Sequence, residues 1–414
     1  MKVGLPRRGA PVGWSPVKVG GGAAGRWAPG RRTGWQSWLA PGSRVRRMDW
    51  ALLGAALALS VLGAALVYSA TRGRTQLTGG DPYAFLERDV LNIAIGMVLA
   101  AGTAWLGPRR LRDLVPVLYG VTILMVLLVL TPVGATINGS RRWIMIGGMS
   151  IQPSEFVKVT IVLAMALLVA TKVDTGDRAR PDNRGVVEAL AVAGVPALLI
   201  LLTPDLGQAM GIGVIVLGVL LASGASVRWI GTLMVVGGLG VLAVWQLHLL
   251  DQYQINRFAA FADPALDPSG VGYNTSQARI AIGAGGLMGQ GLFHGAQTTG
   301  QFVPEQQTDF VFSVAGEELG FMGAGALIAL LGVVLWRALR IARDCPDLYG
   351  TVVAAGIVAW LAFQAFENIG MNLGIMPVTG LPLPFVSYGG SSMFAGWIGI
   401  GILQGIHLQR PLSA

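Results

Sequence analysis

The sequence predicts an all-α polytopic membrane protein with about ten transmembrane helices and one long extracytoplasmic loop. Hydrophobic residues make up 53% of the chain and charged residues only 12%. The mean hydropathy is +0.61. Apolar runs near or above the roughly 20 residues that a helix needs to cross a bilayer recur along the chain, which excludes a soluble domain.

The N-terminal segment carries the net charge. Residues 1–47 contain ten Lys and Arg but no Asp or Glu, so the rest of the chain has 20 basic against 21 acidic residues. The formal charge of +9 is therefore no sign of a nucleic-acid partner. We expect residues 1–48 to form a basic disordered cytosolic tail, either lying on anionic membrane lipids or simply solvated. We do not expect this segment to be a signal peptide, because its basic region is far too long.

Residues 49–410 are predicted to form the transmembrane domain. Two of the apolar segments, within 186–223, can instead be a bent pair around Pro204. The predicted spans are about 50–70, 86–106, 114–131, 156–171, 186–202, 208–223, 229–248, 310–336, 351–375 and 386–406.

Charge placement predicts the orientation. With the N-terminus inside, 22 of the 30 Lys and Arg lie on the cytosolic side, as the positive-inside rule requires. Both termini are then cytosolic, and the protein is a multi-pass protein of the cytoplasmic (inner) membrane. Cys345, the only cysteine, falls in a cytosolic loop, so neither an intrachain disulfide nor a cysteine metal site is expected.

The outer loops are unequal in length. One of them, about 249–308, is long, polar and glycine-containing. A membrane protein keeps so much irregular polar chain where it lines a cavity or contacts a partner. We therefore expect the outer face to be the functional face.

Several chemistries lack their motifs. The glycine run Gly283–Gly291 has no lysine of a phosphate loop, so ATP use is unsupported; the run indicates either close packing or substrate contact. The three histidines, His248, His294 and His407, have no paired metal spacing.

Polar residues instead gather near the predicted outer ends of helices. Arg141 and Arg142 lie outside, against the charge trend. Glu155 and Lys158, three apart after a Gln-Pro-Ser helix start, can pair on one helix face, as a structural ion pair or as part of a site. Asp205 lies in a turn that is either structural or part of a site.

The ninth predicted span has one polar face. Gln364, Asn368 and Asn372 recur every four residues, with Glu367 beside them. Such a face is expected to point into the bundle interior and away from lipid.

These motifs, in this order over about 50–410, resemble those of the SEDS family (RodA, FtsW, SpoVE), and the segment Tyr273–Gly283 resembles its RodA branch more than FtsW. One departure is Gln307, where many relatives have histidine. The motifs that carry the resemblance are Arg141–Trp143, Gln152–Lys158, Pro204–Gly207, Gly283–Gly291, Pro304-Glu305, Thr308–Phe310, Glu317–Gly320 and Gly380–Ser392.

The resemblance implies a peptidoglycan glycosyltransferase that polymerises lipid II into β-1,4 glycan strands at the outer face of the cytoplasmic membrane, for cell elongation and shape. It implies a class B penicillin-binding protein transpeptidase as partner. By motif, Asp309 would be the catalytic carboxylate, with Glu155, Lys158 and Asp205 in a polar cavity below it.

That activity is chemically compatible with a single carboxylate. Forming a β-1,4 bond from an α-linked pyrophosphate donor inverts the anomeric carbon, so one general base for the acceptor hydroxyl suffices. If Thr308 caps the following helix, Asp309 lies in its first turn, where the dipole favours an ionised base. The leaving diphosphate needs cations, and a divalent ion (Mg or Mn) can assist. The side-chain candidates are Arg141, Arg142, Arg257, Arg279 and Lys158.

A lipid II flippase is the alternative from another class, because interior polar residues equally suit a transport path. Against it, inverted repeats are not evident and the acidic motifs cluster at the outer face. A non-catalytic scaffold for a partner synthase is the third interpretation.

Overall fold

The computed structural model describes residues 43–409, apart from 138–139, 176–179, 204, 247–251, 264–266 and 268–269. The chain divides into two units, Met1–Arg47 and Met48–Ala414. Of the first unit only residues 43–47 are described, and they contain one helical turn, Arg44–Arg47. The predicted basic tail over 1–48 therefore lies largely outside the described residues.

Helices account for most of the described part of the second unit. Short turns of helix also occur at Thr75–Thr78 and Ala296–Thr299. The longer helices are α1 Trp50–Thr71, α2 Ala84–Leu130, α3 Pro153–Thr175, α4 Asn183–Leu201, α5 Leu206–Ala222, α6 Val227–Gln246, α7 Gln252–Ala262, α8 Val271–Gly285, α9 Val311–Glu318, α10 Gly320–Arg343, α11 Leu348–Leu373 and α12 Gly390–His407.

A small antiparallel ribbon interrupts the helices between α2 and α3. Its strands are β1 Ala135–Ile137, β2 Ser140–Ile146 and β3 Met149–Ile151, in the order β1-β2-β3. β2 pairs with β1 through Arg141 opposite Thr136, and with β3 through Met145 opposite Ser150. Arg141 and Arg142 therefore lie in the central strand of this ribbon, β2.

The predicted all-α membrane class is confirmed. Over the described residues, α1, α2, α3, α4, α10 and α11 are long and apolar enough to cross a membrane, and α5 and α6 are shorter apolar helices. The number of crossings stays a prediction. In α2, two predicted spans run together, with a bend at Gly107, whose φ of 71° and ψ of 162° are not helical.

The segment 186–223 forms two helices, α4 and α5, in agreement with the two spans predicted there. The predicted span 310–336 differs, because it is divided between α9 and α10. The long loop predicted over about 249–308 is not irregular chain along its whole length, because it contains α7 and α8. The N–H of Val271 donates to the side chain of Asp267 (2.7 Å), which supports the start of α8.

α3 and α11 occupy the interior of the helix bundle. In their most apolar stretches 67% and 61% of residues are buried, against 22% in α2 and 28% in α10. α2 and α10 therefore present most of their surface outward. Polar residues on α3 and α11 must find their partners within the protein.

Candidate active site

Asp309 lies in a tight turn just before α9. The N–H groups of Thr308, Asp309 and Phe310 all donate to the carbonyl oxygen of Glu305, at 3.1 to 3.2 Å. The expected Thr308 cap is wrong, because its hydroxyl donates to the carbonyl and carboxylate of Glu305 at 3.3 Å, and Phe310 occupies the N-cap position. Asp309 thus precedes the helix instead of lying in its first turn.

The polar face of α11 holds this turn from the interior. The side-chain amides of Asn368 and Asn372 both donate to the carbonyl oxygen of Asp309, at 3.0 and 3.1 Å. Gln364 and Glu367, on the same face, are also buried. The prediction that this face points into the bundle is confirmed.

The electrostatic surroundings suit Asp309 to proton transfer. Its side chain is partly buried. The pKa of Asp309 is raised to about 6, because burial and the negative charge of Glu305 raise it more than the positive charge of Arg257 lowers it. A carboxylate with this pKa is ionised at neutral pH and more basic than an exposed one, as a general base should be.

Arg142 and Asp205 form an ion pair near this turn. Arg142 Nη1 lies 3.3 Å from Asp205 Oδ2, and Arg142 Nε donates to the carbonyl of Thr203 at 3.2 Å. Asp205 also caps α5, because its Oδ1 accepts the N–H of Gln208 at 3.3 Å. Asp205 is therefore both a turn residue and part of the polar cluster that Asp205 and Arg142 form near Asp309.

Arg141 is not brought into the cluster. It is exposed, and its aliphatic stem lies over Gly134, where an added Cβ would be 2.9 Å from Arg141 Cγ. Neighbouring residues of a strand point to opposite faces, so Arg142 and Arg141 point apart on β2.

α7 and α8 contribute two more arginines. Arg257 on α7 and Arg279 on α8 line a cavity of about 180 Å³, together with Thr275. Arg257 also lines a smaller cavity, of about 20 Å³, with Arg142. Arg257 therefore lines both cavities. Burial lowers the pKa of its guanidinium, and the negative charges of Asp309 and Asp205 oppose this shift.

Glu155 and Lys158 form the predicted ion pair, and both are buried. Lys158 Nζ lies 2.9 Å from Glu155 Oε1 and donates to Gln364 Oε1 at 3.0 Å. It also lies 5.2 Å from the ring centre of Trp360. Glu155 Oε1 accepts the side-chain amide of Gln208 at 2.5 Å. The pair thus links α3, α5 and α11, and its contact with substrate stays a prediction.

The glycine run packs against the junction of α9 and α10. A Cβ added to Gly289 would lie 2.1 Å from the carbonyl oxygen of Glu318, and one added to Gly285 would lie 2.0 Å from that of Gly316. The N–H of Gly291 donates to the same Glu318 carbonyl at 3.0 Å. At these positions the glycines permit close backbone packing.

The approach of the segment after α11 to the Asp309 carboxylate could not be predicted from the sequence. Thr379 donates its hydroxyl to Glu367, and the Cβ position of Gly380 is 3.4 Å from Asp309 Oδ2. The only signal was the buried polar face of α11, which gave no partner for it. Among the described residues, no group of three or more His, Cys, Asp or Glu is arranged to hold a metal.

The chain matches the FtsW/RodA/SpoVE family, described as a cell cycle protein, over residues 49–411. Peptidoglycan glycosyltransferase MrdB of Escherichia coli (strain K12) is 36% identical over 365 residues, covering 88% of this chain and 95% of that protein. Stage V sporulation protein E of Bacillus subtilis (strain 168) is 36% identical over 363 residues, covering 86% and 96%.

Solved structures are similar over most of the chain. A structure described as structural coordination of polymerization and crosslinking by a peptidoglycan synthase complex matches with a TM-score of 0.71 and 33% identity, covering 87% of this chain and 97% of that one. The crystal structure of Thermus thermophilus rod shape determining protein RodA matches with a TM-score of 0.63 and 32% identity, covering 87% and 96%.

Proposed function

The chain belongs to the FtsW/RodA/SpoVE family, and we propose that it is a peptidoglycan glycosyltransferase that polymerises lipid II at the outer face of the cytoplasmic membrane. Relatives that match most of the chain carry the name peptidoglycan glycosyltransferase. The observation that carries the proposal at the level of the site is Asp309, a partly buried carboxylate with a raised pKa beside Arg257.

In the proposed reaction Asp309 acts as the general base. Its carboxylate takes the proton of the acceptor sugar 4-hydroxyl while the oxygen attacks the anomeric carbon of the donor. The bond from that carbon to the diphosphate breaks, and undecaprenyl diphosphate leaves with the electron pair. Attack from the face opposite the leaving group inverts the α-linkage to β-1,4.

The leaving diphosphate is proposed to bind where Arg257 and Arg279 line the larger cavity. Guanidinium groups bind phosphate oxygens in pairs, and a low-dielectric site strengthens the attraction. Arg142, paired with Asp205, lines the smaller cavity together with Arg257 and adds a second guanidinium there. A divalent ion, Mg or Mn, would arrive bound to the diphosphate oxygens.

The partner of the reaction is proposed to be a class B penicillin-binding protein, which would cross-link the strands. One similar structure is described as a synthase complex that coordinates polymerization and crosslinking. Similarity to a rod shape determining protein supports a role in elongation and cell shape. The proposed orientation has both termini cytosolic.

One observation favours a lipid II flippase instead, namely the buried pair Glu155 and Lys158 in the bundle interior. Purified protein supplied with lipid II in detergent separates the two functions, because a flippase has no membrane to transport across. We expect glycan strands to form, at least with the partner present. Lipid II left intact with and without the partner would contradict the proposal.

A further inference from the structure

The start of α9 is held by a residue of another helix. Phe310, at the N-cap position, gives no side-chain hydrogen bond to the first turn. Asn372 of α11 fills this role, since its Oδ1 accepts the N–H of Ser313 at 3.1 Å. An N-cap side chain normally satisfies this N–H group. α11 therefore determines how the chain leaves Asp309 and enters α9.

Two amides converge on the carbonyl oxygen of Asp309. Asn368 Nδ2 and Asn372 Nδ2 donate to it at 3.0 and 3.1 Å. A carbonyl oxygen has two lone pairs, so these two bonds fill its accepting capacity. Asn372 Nδ2 also donates to the main-chain carbonyl of Asn368 at 2.9 Å, and it lies 3.5 Å from the side-chain oxygen Oδ1 of Asn368, which links the two side chains.

Asn368 also holds the chain on the other side of the carboxylate. Its second amide hydrogen is directed to the carbonyl of Leu381, at 2.8 Å. The preceding residue, Gly380, has its Cβ position 3.4 Å from Asp309 Oδ2. One side chain thus fixes both the main chain of Asp309 and the segment against which its carboxylate lies.

Neither asparagine is available to substrate. Both have 0% of their surface exposed, and the side-chain amide of each donates only to acceptors within the protein among the bonds described. From this arrangement we infer that Asn368 and Asn372 are positioning residues, which hold Asp309 in the orientation needed for proton transfer. The inference rests on the proposed function, in which Asp309 is the base.

A positioning role predicts a particular kinetic effect. Displacing a base by a fraction of an ångström slows the chemical step but leaves lipid II binding intact, so kcat falls and KM does not change. Asn368→Asp and Asn372→Asp keep the side-chain shape and replace the donating amide with an oxygen that repels the Asp309 carbonyl. We expect each to lower kcat about 10- to 100-fold.

The pH profile separates positioning from loss of fold. When the introduced carboxyl is protonated it can donate again, so the activity of each variant relative to wild type should recover as the pH falls. All rates are divided by the folded fraction, measured by size exclusion and thermal unfolding. The control is Thr122→Val on α2, which removes a buried hydroxyl that lies 3.0 Å from the hydroxyl of Thr160 on α3. This variant should keep wild-type kcat.

Asn372→Leu, similar in volume and uncharged, supplies the same kcat test if a carboxyl variant does not fold. Wild-type kcat per folded protein in these variants would overturn the inference. A raised KM with unchanged kcat would also overturn it, since that result indicates substrate contact. The proposed function is judged separately: it fails if wild-type protein does not polymerise lipid II, and it stands if only the asparagine inference fails.

Discussion

At the scale of single residues, Asp309 has one negatively charged and one positively charged neighbour that act on its pKa in opposite directions. Glu305 raises its pKa and Arg257 lowers it, on top of the larger effect of burial. The proposed base works only when ionised. Activity must therefore be lost as the pH falls through the pKa of Asp309 in the folded protein, which is about 6.

The first prediction follows from that sign. The kcat/KM of the wild-type protein should fall about tenfold per pH unit below the pKa and level off above it. Glu305→Gln removes a negative charge that raises the pKa, so its profile should shift to lower pH. The measurement is lipid II polymerisation in detergent across a pH series. Identical profiles for wild type and Glu305→Gln would show that another group controls the reaction.

A second prediction concerns the arginines. Because an ammonium cannot reproduce the paired hydrogen bonds of a guanidinium, Arg257→Lys and Arg279→Lys should weaken lipid II binding and polymerisation. Arg141→Lys is the matched control, since Arg141 is exposed and lies outside the cluster. Detergent removes any contribution from bilayer headgroups. If the Arg257 and Arg279 variants match wild type in both assays, the diphosphate is bound elsewhere.

Residue types and spacing predicted which side chains were candidates, but not which of them meet. Glu155 and Lys158 could be paired from sequence because helix geometry places residues three apart side by side. Arg141 and Arg142 could not be separated without knowing that a strand carries them. The Asn368 and Asn372 bonds to Asp309 join residues about 60 positions apart, and no local pattern predicts them.

At the scale of helices, the buried pair on α3 is a shared contact of three elements. Breaking a buried ion pair on one side costs about 3–5 kcal/mol, whereas replacing both partners with uncharged groups is often nearly neutral. We therefore predict that Lys158→Met destabilises the protein by about this amount. The double variant Glu155→Gln, Lys158→Met should be more stable than Lys158→Met alone.

Unfolding in detergent and lipid II polymerisation are measured on the same preparations. Recovery of both in the double variant identifies a structural pair. Recovery of stability without activity identifies contact with substrate, the role that the family resemblance implies. A double variant less stable than Lys158→Met would contradict the ion-pair account, because Glu155 would then stabilise the protein through Gln208, which donates to its carboxylate, and not through Lys158.

Most helices could be predicted because long apolar runs have one stable outcome in a membrane. Their breaks could not. Gly107 bends α2 without ending it. α9 ends at Glu318, two residues before Gly320, whose φ of 65° is left-handed and whose Cβ position would lie 2.2 Å from the backbone nitrogen of Gly289. Hydropathy also gave no sign of α7 and α8, since both are much less apolar than the spans.

At the scale of the whole molecule, the charge distribution predicts which ends of the helices face the cytosol. The fold alone does not test this orientation. Cys345, between α10 and α11, supplies a native probe. A membrane-impermeant maleimide should label it in inside-out vesicles and not in right-side-out ones. Burial raises the pKa of this thiol, so labelling should be slow and needs a long exposure.

The matched control moves the probe to the other side. In Cys345→Ser, Asp81→Cys the thiol lies at an exposed position between α1 and α2, and the labelling pattern should reverse. Labelling of Cys345 in right-side-out vesicles would show that the orientation is the opposite of the predicted one. Asp309 would then face the cytosol, and polymerisation at the outer surface would be untenable.

The central claim, that one carboxylate is the base of a lipid II polymerase, is tested most directly by Asp309→Asn. The amide keeps the shape of the side chain and cannot accept the proton, so polymerisation should be lost while lipid II binding and thermal stability remain. Asp81→Asn, which changes an exposed carboxylate, is the control and should retain wild-type activity. Near wild-type turnover by Asp309→Asn would remove Asp309 from the mechanism.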